Sequence, residues 1–201
     1  MISQIVQSLH NDLLVCFPTE TVYALSCHAY SNTAIAKIYQ IKNRVRDKKL
    51  SIFVHDIHHL QKIANIKEEY MHYINYFSPG PVTYIVPLKN NQLFSKEFFQ
   101  DNIGIRIPNH PVARLILQHI NSPIVATSIN MSGTASVYTA NTIPKCIKQY
   151  LSIVIEDDRL VSGIDSTIID LTGSEIKIVR QGAISLQDIR DAHLYSRYKD
   201  A

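Results

Sequence analysis

Side chains able to hold a small charged ligand are concentrated in a few short stretches of this chain. The first is Pro18-Thr19-Glu20-Thr21-Val22-Tyr23, directly after the apolar run Leu13–Phe17. Hydroxyls and a carboxylate at the end of a strand sit where open α/β sheets bind ligands. The same residues also read as a strand end leading into a helix N-cap. The second stretch, Lys42-Asn43-Arg44-Val45-Arg46-Asp47-Lys48-Lys49, places five cations in eight residues. Such a run is either a solvated loop or a clamp for a polyphosphate, with Arg offering a planar fork and Lys a point charge. No G-x-x-x-x-G-K-[ST] element accompanies it, so a nucleotide here is not held in the P-loop manner.

The third stretch is Ala126-Thr127-Ser128-Ile129-Asn130-Met131-Ser132-Gly133, at the end of the apolar run Ile124–Ala126. Its uncharged donors and acceptors suit a ribose, a phosphate or an α-amino acid. An ordinary Ser/Thr/Asn-rich turn has the same composition. Gly163-Ile164-Asp165-Ser166-Thr167 precedes a further apolar run, and Ile178-Val179-Arg180-Gln181-Gly182 ends one on an Arg beside a Gly. Arg106 interrupts the apolar segment Gly104–Pro108. An unpaired Arg is costly to bury. It either snorkels to a solvated face or turns into a cleft, where its natural partner is a carboxylate.

Composition narrows the class. The 201 residues suit one domain, and 46% apolar residues suffice for a full core. A formal charge of +3 is too weak to argue for nucleic-acid binding by itself. Cys16, Cys27 and Cys146 form no C-x-x-C pair, so a disulfide framework is not expected and a reducing compartment fits. The nine His residues never form H-E-x-x-H, and His58-His59 reads as a solvated helix face, so no metal site is expected. Residues 1–12 lack the marks of a secretory signal, and no apolar segment approaches the roughly 20 residues of a membrane span. A soluble, cytoplasmic protein is expected.

Strand-like and helix-like segments alternate, as in an α/β chain with a mixed sheet. Strands are expected at Leu13–Phe17, Leu50–His55, Val82–Leu88, Ile103–Ile107, Ile124–Thr127, Ile153–Ile155, Ser166–Leu171 and Ile176–Val179. Three- and four-residue apolar spacing predicts helices over Asn32–Lys42 and Pro111–Ile120, with others near Ile57–Ala64, near Glu68–Phe77 and after Ser185. The last two strands are close enough around Thr172-Gly173-Ser174 to form an antiparallel hairpin. No linker or repeat divides the chain, so a single domain over 1–201 is expected.

In this order, PTETVYAL, KNRVRDKKL, SPGPVTYIV, IGIRIPNHPVA, ATSINMSG, SGIDSTIID and IVRQG resemble the YrdC/TsaC-type threonylcarbamoyl-AMP synthases. The resemblance runs from about residue 13 to 182. It implies a twisted open α/β sheet with a basic concave cleft. It also implies synthesis of L-threonylcarbamoyl-AMP from L-threonine, bicarbonate or CO2, and ATP, with release of pyrophosphate. Mg²⁺ would arrive with the ATP, and no protein metal site is implied. The product would serve a threonylcarbamoyl transferase complex that modifies the tRNA adenosine beside the anticodon, which makes tRNA a further candidate partner.

The resemblance carries roles onto particular residues. Thr19, Arg106, Ser128 and Ser166 match the threonine side. Lys42, Arg44, Arg46, Lys48, Asn130, Tyr138 and Arg180 match the ATP side. Lys42, Arg44, Ser128 and Asn130 would carry the chemistry. No side-chain nucleophile is required, so catalysis would rest on positioning and on cations that offset phosphoryl charge. Five positions depart from the family pattern. Ala24 and Ser26 replace glycines, Val45 replaces a proline, Tyr138 a small hydroxyl residue and Gln181 a proline. Two other readings are a YrdC-fold RNA-binding module and a YciO-type paralogue without synthase activity. The second shares Tyr23-Ala24-Leu25 but typically lacks the K-x-R and S-x-N pairs present here.

Overall fold

Leu14 to Pro18 are all buried because the strand they form is covered on both faces. Leu14 and Cys16 join one apolar cluster, and Val15 and Phe17 join another. This two-sided burial sets the plan of the molecule. The structure, a computed structural model, describes residues 1–89 and 92–199. Its strands are β1 (Leu14–Pro18), β2 (Tyr23–His28), β3 (Ser51–Phe53), β4 (Val82–Pro87), β5 (Asn102–Arg106), β6 (Ile124–Ser128), β7 (Leu151–Val154), β8 (Thr167–Asp170) and β9 (Lys177–Arg180). Among the described residues they form one sheet in the order β7-β1-β2-β6-β3-β5-β4-β8-β9. The sheet is mixed: β1/β7, β3/β5 and β4/β8 are parallel and the other neighbours antiparallel. The expected hairpin is present, with Ile169 opposite Ile178.

One face is covered by helices α1 (Ile2–His10) and α5 (Pro111–Ile120), which bring Ile5, Leu9, Ala113, Ile116 and Leu117 onto Val15, Phe17 and Ala126. The other face receives α2 (Asn32–Ile41), α3 (Ile57–Ile63), α4 (Glu68–Phe77), the short α6 (Lys145–Lys148) and α7 (Leu186–Lys199). Local chemistry starts these helices. Ser31 Oγ caps α2 by accepting from Ala34 N at 3.2 Å, and Asp56 Oδ1 caps α3 by accepting from His59 N at 2.8 Å. Pro111 opens α5 in its first turn, and Asn121 closes it in the left-handed region at φ 48°.

Helix α1, strand β2 and the short α6 were not legible in the sequence. Helix α1 lies in a segment to which no structure was assigned: it has no side-chain cap, and its buried face is Ile5, Ser8 and Leu9. Strand β2 is fully inside the sheet between β1 and β6: Tyr23, Leu25 and Cys27 face the larger cluster, whereas Ser26 and His28 make the other face polar beside Ala24. Ala24 and Ser26, which stand where the family pattern has glycines, are β2 residues paired with Ser128 and Ala126. They sit in regular strand, where no glycine conformation is required.

Candidate active site

The Pro18–Tyr23 segment is the tight connection between β1 and β2. Thr19 Oγ1 donates to Val22 O at 2.7 Å and accepts from Val22 N at 3.2 Å, which closes the turn. Its hydroxyl also lies 2.9 Å from Thr21 Oγ1, and Thr21 Oγ1 accepts from Arg106 Nη1 at 2.9 Å. Arg106 is buried at the end of β5. Its Nε donates to Gly80 O at 3.1 Å, its guanidinium lies over the Phe53 ring at 5.4 Å, and its Nη2 sits 2.8 Å from Glu20 Oε1. The carboxylate that the sequence argument asked for is therefore Glu20, from the same turn as Thr19. The contact is an ion pair with poor hydrogen-bond direction, so Arg106 Nη2 and both Glu20 oxygens have no hydrogen-bond partner.

Thr19, Thr21, Val22, Phe53 and Arg106 form one wall of a cavity of about 140 Å³, also lined by Arg44, Lys49, Thr83, Ser128, Asp165, Ser166 and Arg180. Opposite the Thr19 turn, Arg180 at the end of β9 folds around Ser166. Its Nη2 donates to Ser166 O at 2.7 Å and to Ser166 Oγ at 3.0 Å. Ser166 Oγ is also 3.0 Å from Thr83 Oγ1 on β4. Asp165 accepts from Ser136 Oγ at 2.9 Å and lies 3.8 Å from Arg180 Nη1. Arg44 is braced by its own loop, with Nε donating to Lys48 O at 2.6 Å and Nη2 to Lys49 O at 3.0 Å.

The residues expected at the site divide into those that line this cavity and those that do not. Thr19, Arg44, Arg106, Ser128, Ser166 and Arg180 line it. Lys42 lies beneath the wall, buried at 1% exposure. Its Nζ donates to Ser128 O, to Asn130 O at 2.5 Å and to Asn130 Oδ1 at 3.1 Å. Burial, aided by repulsion from Arg44, lowers its pKa to about 7. Lys42 thus fastens the Ser128–Asn130 segment from below instead of presenting its charge to the cavity. Asn130 is set back in the same way: Oδ1 accepts from Ser128 Oγ at 2.6 Å, and Nδ2 donates to Thr134 O at 2.6 Å. Arg46 turns outward, stacked at 4.7 Å over Tyr39 and Phe98 and 3.4 Å from Glu97. Lys48 is exposed and off the wall, where Lys49 takes the place expected of it. Tyr138 is half-exposed and packs its ring over Gly163, outside the cavity lining.

The sequence reading counts Glu20, Thr21 and Lys49 within its ligand-holding stretches but gives no individual role to them, to Thr83 or to Asp165. Thr21 and Asp165 carried a usable signal, being polar residues beside named ones at strand ends. Thr83 carried none, because a lone Thr in an apolar strand is common.

The profile of the Sua5/YciO/YrdC family, described as "Telomere recombination", matches residues 7–182. The chain belongs to this family. A putative threonylcarbamoyl-AMP synthase of Methanocaldococcus jannaschii is 33% identical over 181 residues, covering 90% of this chain and 84% of that protein. The threonylcarbamoyl-AMP synthase of Pyrococcus abyssi is 31% identical, covering 88% of this chain and 52% of the relative. The chain thus spans about half the length of that relative and of the Bacillus subtilis one. Among solved structures, P. abyssi Sua5 complexed with L-threonine superposes with a TM-score of 0.89 at 29% identity, covering 95% of this chain and 56% of that one. Escherichia coli YciO superposes at 0.84 with 21% identity over 93% of this chain and 91% of that one, a likeness of fold. The mixed open sheet is therefore the family's architecture. No helix among the described residues is long and apolar enough to cross a membrane.

Proposed function

We propose that this Sua5/YciO/YrdC-family chain synthesises L-threonylcarbamoyl-AMP from L-threonine, bicarbonate or CO2, and ATP, releasing pyrophosphate. The observation that supports this most is the convergence of Arg44, Arg106, Ser128, Ser166 and Arg180 on one cavity beside the Thr19 turn. A buried Arg and several hydroxyls at one end suit an amino acid, and Arg44, Lys49 and Arg180 at the other suit phosphates. In the proposed reaction the neutral amine of threonine attacks CO2, forming the N–C bond and losing a proton. A carbamate oxygen then attacks the α-phosphorus of ATP, and pyrophosphate leaves.

The chain's own part is positioning. Arg106 meets the threonine carboxylate, with Glu20 and Thr21 fixing the guanidinium plane. Ser128, set by its bond to Asn130, and Ser166, set by Arg180 and Thr83, orient the reacting groups between the two substrates. Arg44 and Arg180 offset charge on the phosphoryl oxygens, with Lys42 holding the floor and Arg46, Lys48 and Tyr138 standing outside the cavity lining. Groups held in register in this way supply roughly 7–11 kcal/mol of a barrier in well-oriented systems. Mg²⁺ comes as part of the ATP substrate; Asp165 is the carboxylate in the described lining, and it already serves Ser136 and Arg180. The product then passes in the cytoplasm to a threonylcarbamoyl transferase complex acting on tRNA.

A pyrophosphate-release assay with ATP and bicarbonate, run with and without L-threonine, tests the reading. Release that depends on threonine is expected. Absent or threonine-independent release would place the chain with YciO-type or RNA-binding members of the fold.

A further inference from the structure

We infer that His55, Asp56 and His59 form a binding site for one divalent transition-metal ion, separate from the cavity described above. His55 Nδ1 lies 3.2 Å from Asp56 Oδ2, and His59 Nδ1 lies 2.8 Å from Asp56 Oδ1. The three residues offer ligand atoms that all fall within 4.8 Å of one another. Zinc holds imidazole nitrogen at about 2.0–2.1 Å and carboxylate oxygen at about 2.0–2.2 Å, so neighbouring ligands around a tetrahedral ion are roughly 3.3 Å apart. The His55–Asp56 contact at 3.2 Å matches that value, the His59–Asp56 contact at 2.8 Å is shorter by about half an ångström, and no separation in the group exceeds 4.8 Å.

The surroundings add an independent observation. His59 Nε2 faces Asn121 Oδ1 at 3.1 Å. In the tautomer that donates Nε2–H to Asn121 Oδ1, the Nδ1 lone pair is directed at the Asp56 carboxylate. A ligating His is characteristically oriented through its other nitrogen in this way. Either a ring proton on Nδ1 or a metal ion satisfies the 2.8 Å contact between Nδ1 and Asp56 Oδ1. Asn121 is itself fixed, as the left-handed residue that closes α5. Asp56 also caps α3, which accounts for that carboxylate but not for two imidazoles converging on it. Side-chain exposures of 28%, 45% and 24% leave a route for the ion and room for water to complete its sphere. Two imidazoles and one carboxylate favour zinc, cobalt or nickel over magnesium or calcium.

The site was not readable in the sequence because its members sit at i, i+1 and i+4 across the junction between β3 and α3, which matches no linear zinc motif. It is also independent of the proposed synthesis. Phe53, two residues earlier, is the cavity-lining residue, while His55, Asp56 and His59 line no part of that cavity.

Calorimetric titration of the chelator-treated full chain with Zn²⁺, and with Co²⁺ followed by visible absorption, tests the site. One equivalent of binding is expected. Asp56→Asn retains a good helix cap, since Asn caps as well as Asp, and should weaken binding at least tenfold. His59→Gln should do the same and stands as a second test should the first variant fold poorly. Asn121→Gly, which keeps the left-handed closure, should weaken binding by about tenfold, the lower end of outer-partner effects. His58→Ala should bind like wild type. No binding to wild type, or wild-type affinity in Asp56→Asn and His59→Gln, would overturn the site.

Discussion

Arg106 is the residue whose surroundings are most specific. Its charge is buried beside Glu20, and its other nitrogens are held by Thr21 and Gly80. Removing one member of such a pair leaves the other charge uncompensated, at a cost of about 3–5 kcal/mol. Arg106→Ala and Glu20→Ala should each lose stability on that scale in urea unfolding. The double variant should lose clearly less than the sum, the mark of a coupled pair. In titrations of folded protein, Arg106→Ala should weaken threonine binding while leaving ATP binding nearly unchanged. Equal losses for both ligands would remove Arg106 from the carboxylate role. Lys42 yields a pH prediction. Its folded-state pKa of about 7 lies below the ordinary 10.5, so the unfolded chain takes up the proton first as pH falls. The stability associated with Lys42 is complete above about pH 10.5 and is lost progressively as pH falls to about 7. Urea unfolding should therefore show wild type gaining on Lys42→Met as pH rises through that window, and a constant difference would refute the depressed value. Residue types were legible here because hydroxyl, amide and guanidinium groups cluster in the sequence. Direction was not: an Arg–Lys run does not say that Arg44 turns inward, Arg46 stacks outward on Tyr39 and Phe98, and Lys42 goes under the floor.

At the scale of elements, the site depends on chain crossings that leave no room for a side chain. Gly182 packs so closely on the Asp165–Ser166 backbone that an added Cβ would stand 2.1 Å from Asp165 O. Its N–H also donates to Thr167 Oγ1 at 3.0 Å. Gly163 takes φ +79° under the Tyr138 ring and donates to Thr21 O at 2.8 Å, tying the loop before β8 to the Thr19 turn. Gly182→Ala must push β9 away from β8 and so withdraw Arg180 from Ser166. Weaker ATP binding is expected, together with destabilisation of about 1–3 kcal/mol from overpacking. Retention of wild-type ATP affinity would show that Arg180 does not act from this position. Most strands could be read in advance because two-sided burial makes them continuous apolar runs between turn residues. Strand β2 escaped because sheet neighbours, not its own residue types, bury Ser26. Asn43 in the basic loop adopts φ 49°, a left-handed conformation that Asn tolerates.

For the whole molecule, the sheet order brings distant parts of the chain onto one concavity. The Thr19 turn joins β1 to β2, Ser128 ends β6, Arg106 ends β5, and Ser166 and Arg180 belong to the β8–β9 edge. No sequence pattern contains that order, and so convergence had to be seen in the fold. It also assembles positive charge that the net value of +3 conceals, since Arg44, Lys49, Arg106 and Arg180 line one cavity with Asp165 as the acid in the described lining. Arg106 is neutralised by Glu20, which leaves Arg44, Lys49 and the partly paired Arg180 to meet a polyphosphate. Opposite charges on exposed walls are screened over about 8 Å at physiological ionic strength, whereas buried pairs are screened much less. ATP affinity should therefore fall steeply with added salt and threonine affinity only slightly. Arg44→Ala and Arg180→Ala should each weaken ATP binding and flatten its salt dependence, because fewer cations remain to be screened. Arg46→Ala should change neither, its guanidinium being held between Tyr39, Phe98 and Glu97 on the outer surface. Titrations of each variant at two salt concentrations decide the matter. If Arg46→Ala weakened ATP binding as much as Arg44→Ala, the triphosphate would run along the outer loop, and the cavity would hold the amino acid alone.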